Sequence, residues 1–350
     1  MTRREVQELG RRLDDKSSTL DQSGLYPEME AAENAALLDE WRLQQLKGSR
    51  SGRRSDDALQ RLVSQLENAP LLLEPNQLRL RLEALDRLDA YFPDAARPVA
   101  ETAAAGLYLR ARAIYARLEA VNRQLYEAIR GEIQRGAGPD GLLEWVHSLP
   151  QIREQAGPAS GMGYDYLDYD NLDELISGVL QFEEPDDGHL QREPEMVFYQ
   201  PTPARHIFSL IGLTALTASD VLVDLGSGLG HVPLLVSICT GASSIGIELE
   251  AAYVERARQC AQTLNLDRVS FIQQDARVAD LSSGTVFYLY TPFTGSILGR
   301  VLNLLRREAA GRRIRVCTYG PCTSAIAEEP WLEATEAPQT DRIAVFCSRD

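Results

Sequence analysis

No apolar run in this chain approaches the roughly 20 residues needed to cross a bilayer, so no membrane-spanning helix is expected. The opening residues, Met1 to Glu8, lead into no apolar signal-peptide core, and a cytoplasmic protein is expected. Cysteine is sparse: Cys239, Cys260, Cys317, Cys322 and Cys347 are odd in number and scattered, with no CxxC pair beside a second ligand cluster. That argues against a disulfide framework and against structural zinc. The four histidines, His147, His189, His206 and His231, lack metal-ligand spacing with any carboxylate or cysteine, so no metal is expected. A Ser/His/Asp or Cys/His set for nucleophilic catalysis is also missing. Basic charge is in deficit, 36 Lys and Arg against 51 Asp and Glu, giving a net charge of -15. Such a field repels phosphate backbones and attracts a cationic amine, peptide or basic protein, so a nucleic-acid partner is disfavoured.

What is present is the composition of a soluble globular protein, 44% hydrophobic and 25% charged, with 350 residues, enough for two compact units. Residues 1–54 are polar and charge-rich and end in a basic stretch with Gly and Ser, which reads as a largely flexible segment, with room for a short amphipathic helix at 35–46. Ser55 is a candidate N-cap for a helix carrying Leu59, Leu62, Val63 and Leu66 on one face. Leu78, Leu82, Leu85, Leu88 and Phe92 follow, then Ile114, Leu118, Val121, Leu125, Ile129 and Ile133 at helical spacing. Residues 55–150 are therefore expected to form a helical hairpin or bundle, whose outer faces could mediate homo-oligomer formation.

Residues 151–194 are read as a connecting helix and an acidic linker. Within them, 164–170 mixes three tyrosines with carboxylates just before an apolar helix. Two readings stand side by side: a wall of rings and acids for a cationic group, or tyrosines that pack the helix while the aspartates cap it and stay wet. From about 195 the pattern changes to short β-branched runs at 221–224, 244–248, 269–273, 285–290 and 314–319, alternating with helical stretches. That alternation specifies an α/β fold with a parallel sheet covered on both faces. Strands at 331–335 and 343–348 would close it with an antiparallel hairpin.

Asp224-Leu-Gly226-Ser-Gly228-Leu-Gly230 ends the first of these strands and enters a helix. Glycine is needed where the backbone turns sharply and a ligand approaches, and helix N-terminal amides beyond it offer donors to an anionic group. The loop alone fits a dinucleotide or a methyl donor. Its GxGxG spacing differs from the GxGxxG of nicotinamide enzymes. Glu248 then ends the second strand, where a carboxylate can accept two ribose hydroxyls. Asp275, followed by Ala276, ends the third, where it can accept from an adenine amino group.

With acids after strands one, two and three, residues 195–350 resemble the class I S-adenosylmethionine-dependent methyltransferases, including the reversed terminal hairpin. The resemblance implies a Rossmann-like seven-stranded methyltransferase sheet behind an N-terminal all-helical domain, with S-adenosyl-L-methionine as cofactor. It places Asp224, Gly226, Gly228 and Gly230 around the methionine part, Glu248 at the ribose, and Asp275 with Ala276 at the adenine. Within the class, the cofactor loop through Val232 is similar to that of the disruptor-of-telomeric-silencing family of histone lysine methyltransferases and their bacterial look-alikes. Phe198, Tyr199, Thr202 and Pro203 fall where that family has a cofactor-contacting segment, so Thr202 joins the expected cofactor contacts and Tyr199 an expected lid.

This chain departs from the family after the fourth strand, reading Tyr290-Thr291-Pro292-Phe293 where the family carries Asn-Asn-Phe. Tyr290 and Thr291 are expected to orient an acceptor with their hydroxyls, Phe293 to stack on a ring or a cation, and Tyr199 to help form the substrate rim. His231 is read as a helix-start residue. The expected function is methyl transfer to an amine or hydroxyl of a small molecule or basic protein; the alternative is a methyltransferase-like binding or scaffold module without activity.

Overall fold

The computed structural model describes residues 51–92, 105–138, 140–148, 169–182 and 194–349. The expected flexible segment up to residue 50, the helix at 35–46, residues 164–168 and the acidic linker at 183–188 lie outside them. Two compact units divide the chain, and the division falls at Leu125/Tyr126, inside a single long helix.

In the first unit, α1 (Ser51–Glu67) begins earlier than the expected cap, so Ser55 lies within the helix and residues 51–54 form its first turn. A 3-10 turn (Pro70–Leu73), α2 (Leu78–Asp89) and the first part of α3 (Ala105–Gln134) follow. Their apolar stripes meet as the helical period requires: Leu59, Leu62, Val63, Leu88 and Ala111 are buried together, and Leu72, Ala84 and Leu118 form a second cluster. Among these leucines sits Arg81, fully buried. Its guanidinium donates to Asn122 Oδ1 at 2.5 Å and to the carbonyls of Leu72, at 3.2 Å, and Pro75, at 3.0 Å. A buried cation is tolerated because its fork of donors is met by acceptors.

The second unit takes the end of α3 from Tyr126, then α4 (Asp140–Ser148), α5 (Asn171–Leu180) and α6 (Ala204–Thr214). Leu172, Leu175, Ile176, Val179 and Leu180 bury the apolar face of α5. Gly178 lets the Tyr126 ring approach it, since a Cβ there would lie 2.3 Å from the ring. The sheet follows: β1 (Val221–Leu225), α7 (His231–Cys239), β2 (Ser243–Glu248), α8 (Ala251–Thr263), β3 (Val269–Gln273), β4 (Val286–Tyr290), α9 (Gly295–Ala309), β5 (Arg315–Tyr319), α10 (Cys322–Ala327), β6 (Leu332–Ala334) and β7 (Ala344–Ser348).

Seven strands lie in the order β3-β2-β1-β4-β5-β7-β6. The first five are parallel, while β7 runs antiparallel to both β5 and β6. This is the expected Rossmann-like methyltransferase sheet with its reversed hairpin. Val223, Leu225, Phe287, Leu289 and Val316 are buried beneath Ile297, Val301 and Leu305 of α9, as in strands covered on both faces. Parallel strands put their carboxyl ends on one edge, and the reversal between β1 and β4 is the point at which sheets of this kind bind ligands.

Candidate functional site

The loop leaving β1 keeps its glycines in the left-handed region, with φ of 84° at Gly226, 51° at Gly228 and 82° at Gly230. The sequence reading reserved the space above them for a ligand. This chain's own side chains fill it: a Cβ on Gly226 would lie 2.4 Å from Pro292, one on Gly228 2.0 Å from the Tyr199 ring, and one on Gly230 2.4 Å from Phe271. The glycines therefore let neighbouring segments close onto the loop. Gly226 and Ser227 donate their N–H groups to the Ile247 carbonyl at 2.8 and 3.1 Å, fixing the loop to β2.

Glu248 completes that attachment. Its Oε2 accepts from the Gly228 N–H at 2.8 Å, and its Oε1 from Leu249 at 2.7 Å and Glu250 at 2.9 Å. Burial nonetheless holds its carboxyl above the usual range, against those three donors. A carboxylate has about four acceptor sites, so Oε2 keeps capacity for a hydroxyl. Asp224, buried near the end of β1, is pushed well above the ordinary carboxylate range by burial and then by the Glu248 charge.

The other expected cofactor contacts are differently engaged. Asp275 accepts from the Arg277 N–H at 2.8 Å and is paired with its guanidinium at 2.6 Å, which holds the carboxyl below its usual range. An adenine amino group would share that carboxylate with Arg277. Ala276 opens the 3-10 turn that Asp275 caps. Thr202, expected against the cofactor, is buried, with its hydroxyl 3.0 Å from that of Tyr288 on β4. It pins the segment before α6 to the sheet.

That segment, residues 195–203, runs as a strap across the strand ends. Glu195 Oε2 accepts from Ser296 Oγ at 2.7 Å and the Ile297 N–H at 3.0 Å, capping the start of α9. Met196 bridges Phe293 in antiparallel fashion, and the Val197 N–H donates to the Pro292 carbonyl at 3.1 Å. Tyr199 lies on Gly228, its ring centroid 4.9 Å from that of Tyr253. Tyr169 donates to the Pro201 carbonyl, and Asp173 Oδ1 accepts from the Ala204 N–H at 2.7 Å. For Tyr169 the packing reading of the 164–170 segment matches what is seen. Asp170 caps α5 through the Leu172 N–H at 2.8 Å, and Asp173 in the first turn is half-buried.

After β4, the three expected rim residues are placed differently from one another. Tyr290 is half-buried, its ring 4.7 Å from that of Tyr319, which in turn lies 4.2 Å from His206. Thr291 is buried at φ 40°, and its hydroxyl is consumed: it donates to the Tyr319 carbonyl and accepts from the Cys322 N–H, both at 3.1 Å. Phe293 is a core residue packed with Ile297 and Leu298 and offers no face for stacking on an acceptor. Sequence reasoning missed Glu195, whose partners lie about a hundred residues downstream, and the joint role of Tyr199 and His231. Only the adjacency of His231 to Gly230 pointed to the latter.

The polar groups fit S-adenosylmethionine: the Glu248 oxygen beside the glycine loop, with acceptor capacity for a hydroxyl, and Ser227 Oγ, buried without a hydrogen-bond partner among the described residues. Residues 197–284, from the strap through β3 and the turn before β4, match the family described as histone methylation protein DOT1. The second unit carries a class I S-adenosylmethionine-dependent methyltransferase domain. Among solved structures, this domain's chain is similar to an RNA methyltransferase from Salinibacter ruber in complex with S-adenosyl-L-homocysteine, at 25% identity over 43% of this chain and 92% of that one, TM-score 0.34. A methyltransferase from Geobacter sulfurreducens in complex with the same product is 25% identical over 33% and 48%, TM-score 0.28. The Pyrococcus abyssi tRNA (uracil-54, C5)-methyltransferase is 17% identical over 43% and 39%, TM-score 0.33. No curated protein matches the chain significantly.

Proposed function

We propose that this methyltransferase acts on an amine or hydroxyl of a small molecule or basic protein, presented at the ends of β4 and β5 beside Tyr290. The observation that carries the donor side is the Glu248 bridge to Gly228, which joins the loops after β1 and β2 into one cradle. When bound, the sulfonium supplies the electrophilic methyl group, so the chain's task is to bind, align and exclude water. Tyr290 supports the acceptor side: its half-buried ring, backed by Tyr319 and His206, offers an aromatic face to a cation or an apolar group. The overall charge of -15 favours a cationic acceptor over a polyanion.

Equilibrium titration of the intact protein with S-adenosylmethionine tests the reading, followed by methyl transfer to amine-bearing small molecules, basic peptides and RNA. Cofactor binding that weakens on Glu248→Ala, with transfer to an amine or hydroxyl, is expected. Absence of binding would leave the binding-module alternative, and transfer to RNA alone would overturn the acceptor assignment.

A further inference from the structure

Three elements converge on one imidazole at the start of α7. His231 follows Gly230 as the first residue of the helix and is half-buried. Its Nδ1 lies 3.3 Å from the Tyr199 hydroxyl, and its ring packs against Phe182 with centroids 4.7 Å apart. A neutral imidazole in its Nε2–H tautomer accepts the phenol proton at Nδ1. Burial pushes the His231 pKa down to about 3, so the ring is neutral, as an accepting Nδ1 requires.

The strap is already tied at both ends, by Glu195 to α9 and by Thr202 to β4. Between these ties Val197 and Phe198 are 46% and 72% exposed, and Tyr199 is the residue that turns back onto the cofactor loop. We propose that His231 is a positioning residue, latching Tyr199 and the middle of the strap over the Gly226–Gly230 loop. Its consequence for cofactor retention rests on the methyltransferase reading; the latch itself does not.

Amide hydrogen exchange across residues 196–201 of the ligand-free full chain, with calorimetric titration of S-adenosylhomocysteine, tests it. His231→Ala is expected to speed exchange there and to raise the Kd, each on the order of five- to tenfold, the worth of one hydrogen bond. His231→Asn, whose Oδ1 can stand where Nδ1 does, is expected to restore both. Tyr199→Phe should match His231→Ala, and the double variant should be no worse than either single change. Wild-type exchange in His231→Ala, no rescue by Asn, or multiplying losses in the double variant would overturn the latch. If His231→Ala does not fold, Tyr199→Phe and His231→Asn decide the matter through the same exchange measurement. A wild-type protein that binds no S-adenosylhomocysteine would sink the methyltransferase reading, while the exchange data would still decide the latch.

Discussion

Two strand ends meet in this site, and they are built on opposite principles. After β1 the backbone takes left-handed conformations at glycines, and the neighbouring space is filled by Pro292, Tyr199 and Phe271. After β4 the backbone takes a left-handed conformation at Thr291, a β-branched residue for which φ of 40° is strained, and the residue's own hydroxyl closes the turn. The first end commits its residue types to backbone shape and its amides to β2, leaving Glu248 and Ser227 Oγ for a ligand. The second spends its side chains on holding β4, β5 and α10 together, leaving Tyr290 at the crevice. Donor chemistry can therefore be read at the first end, whereas acceptor chemistry at the second depends on few residues.

The comparison breaks most sharply at Phe293. If it is core, Phe293→Ala should cost about 3–5 kcal/mol of stability, the range for truncating a buried ring. Denaturant unfolding measures that cost, and calorimetry on the protein that remains folded should give an unchanged affinity for S-adenosylhomocysteine. A stable variant with altered acceptor use would return Phe293 to the rim. Gly228→Ala is the counterpart on the other side. A Cβ at φ 51° and 2.0 Å from the Tyr199 ring forces either the loop or the strap to move. About 2–4 kcal/mol of lost stability is expected, and here cofactor affinity should fall as well, by more than roughly tenfold. Equal losses of affinity in both variants would erase the distinction between the two ends.

The same contrast explains what could be read from the sequence. The strands were legible because β-branched runs alternate with helical periods, and the same pattern puts Asp224, Glu248 and Asp275 within two residues of the carboxyl ends of β1, β2 and β3. Phe293 was misplaced because its burial is set by a core cluster drawn from α9 and from strands distant in sequence, among them β1 with Leu225. Thr202 was assigned to the cofactor for want of any local sign that its hydroxyl meets Tyr288, 86 residues away. Arg81 sits at a helical spacing that its leucine neighbours make apolar, and the Leu72 and Pro75 carbonyls together with Asn122 reveal why a cation belongs there. Local pattern specifies backbone and period; the partner of a polar side chain is set by tertiary contacts that pattern does not encode.

Thr291→Val sharpens the comparison on a smaller scale. The two side chains are close in shape and equally branched, so the strain at φ 40° stays while the hydroxyl is lost. The Cys322 N–H would lose its acceptor, while the Tyr319 carbonyl keeps the Cys322 thiol, at an expected cost of about 1–3 kcal/mol. Thermal unfolding measures it. A loss confined to methyl transfer, with stability intact, would show instead that the hydroxyl serves an acceptor.

The smallest effect tests whether the strap's far end is a fixed tie. Asp173 accepts from the N–H groups of Ala204 and Asp170, each at 2.7 Å, so one carboxylate serves the starts of both α5 and α6. Burial raises its pKa from 3.8 to about 7; the two N–H donors and Arg205 oppose that shift, and the Asp170 charge adds to it. Because the folded-state value lies above the unfolded one, the group's contribution to stability is fully present below about pH 4 and is lost as the pH rises through about 7. Asp173→Asn cannot titrate, and its amide meets only one of the two donors, so it should be less stable at low pH. Between pH 6 and 8 the wild type should lose about 1 kcal/mol relative to this variant. Unfolding free energies at the two pH values measure the difference. Parallel pH profiles would mean that the Asp173 carboxylate keeps one charge state throughout, and that the tie between α5 and the strap does not respond to pH.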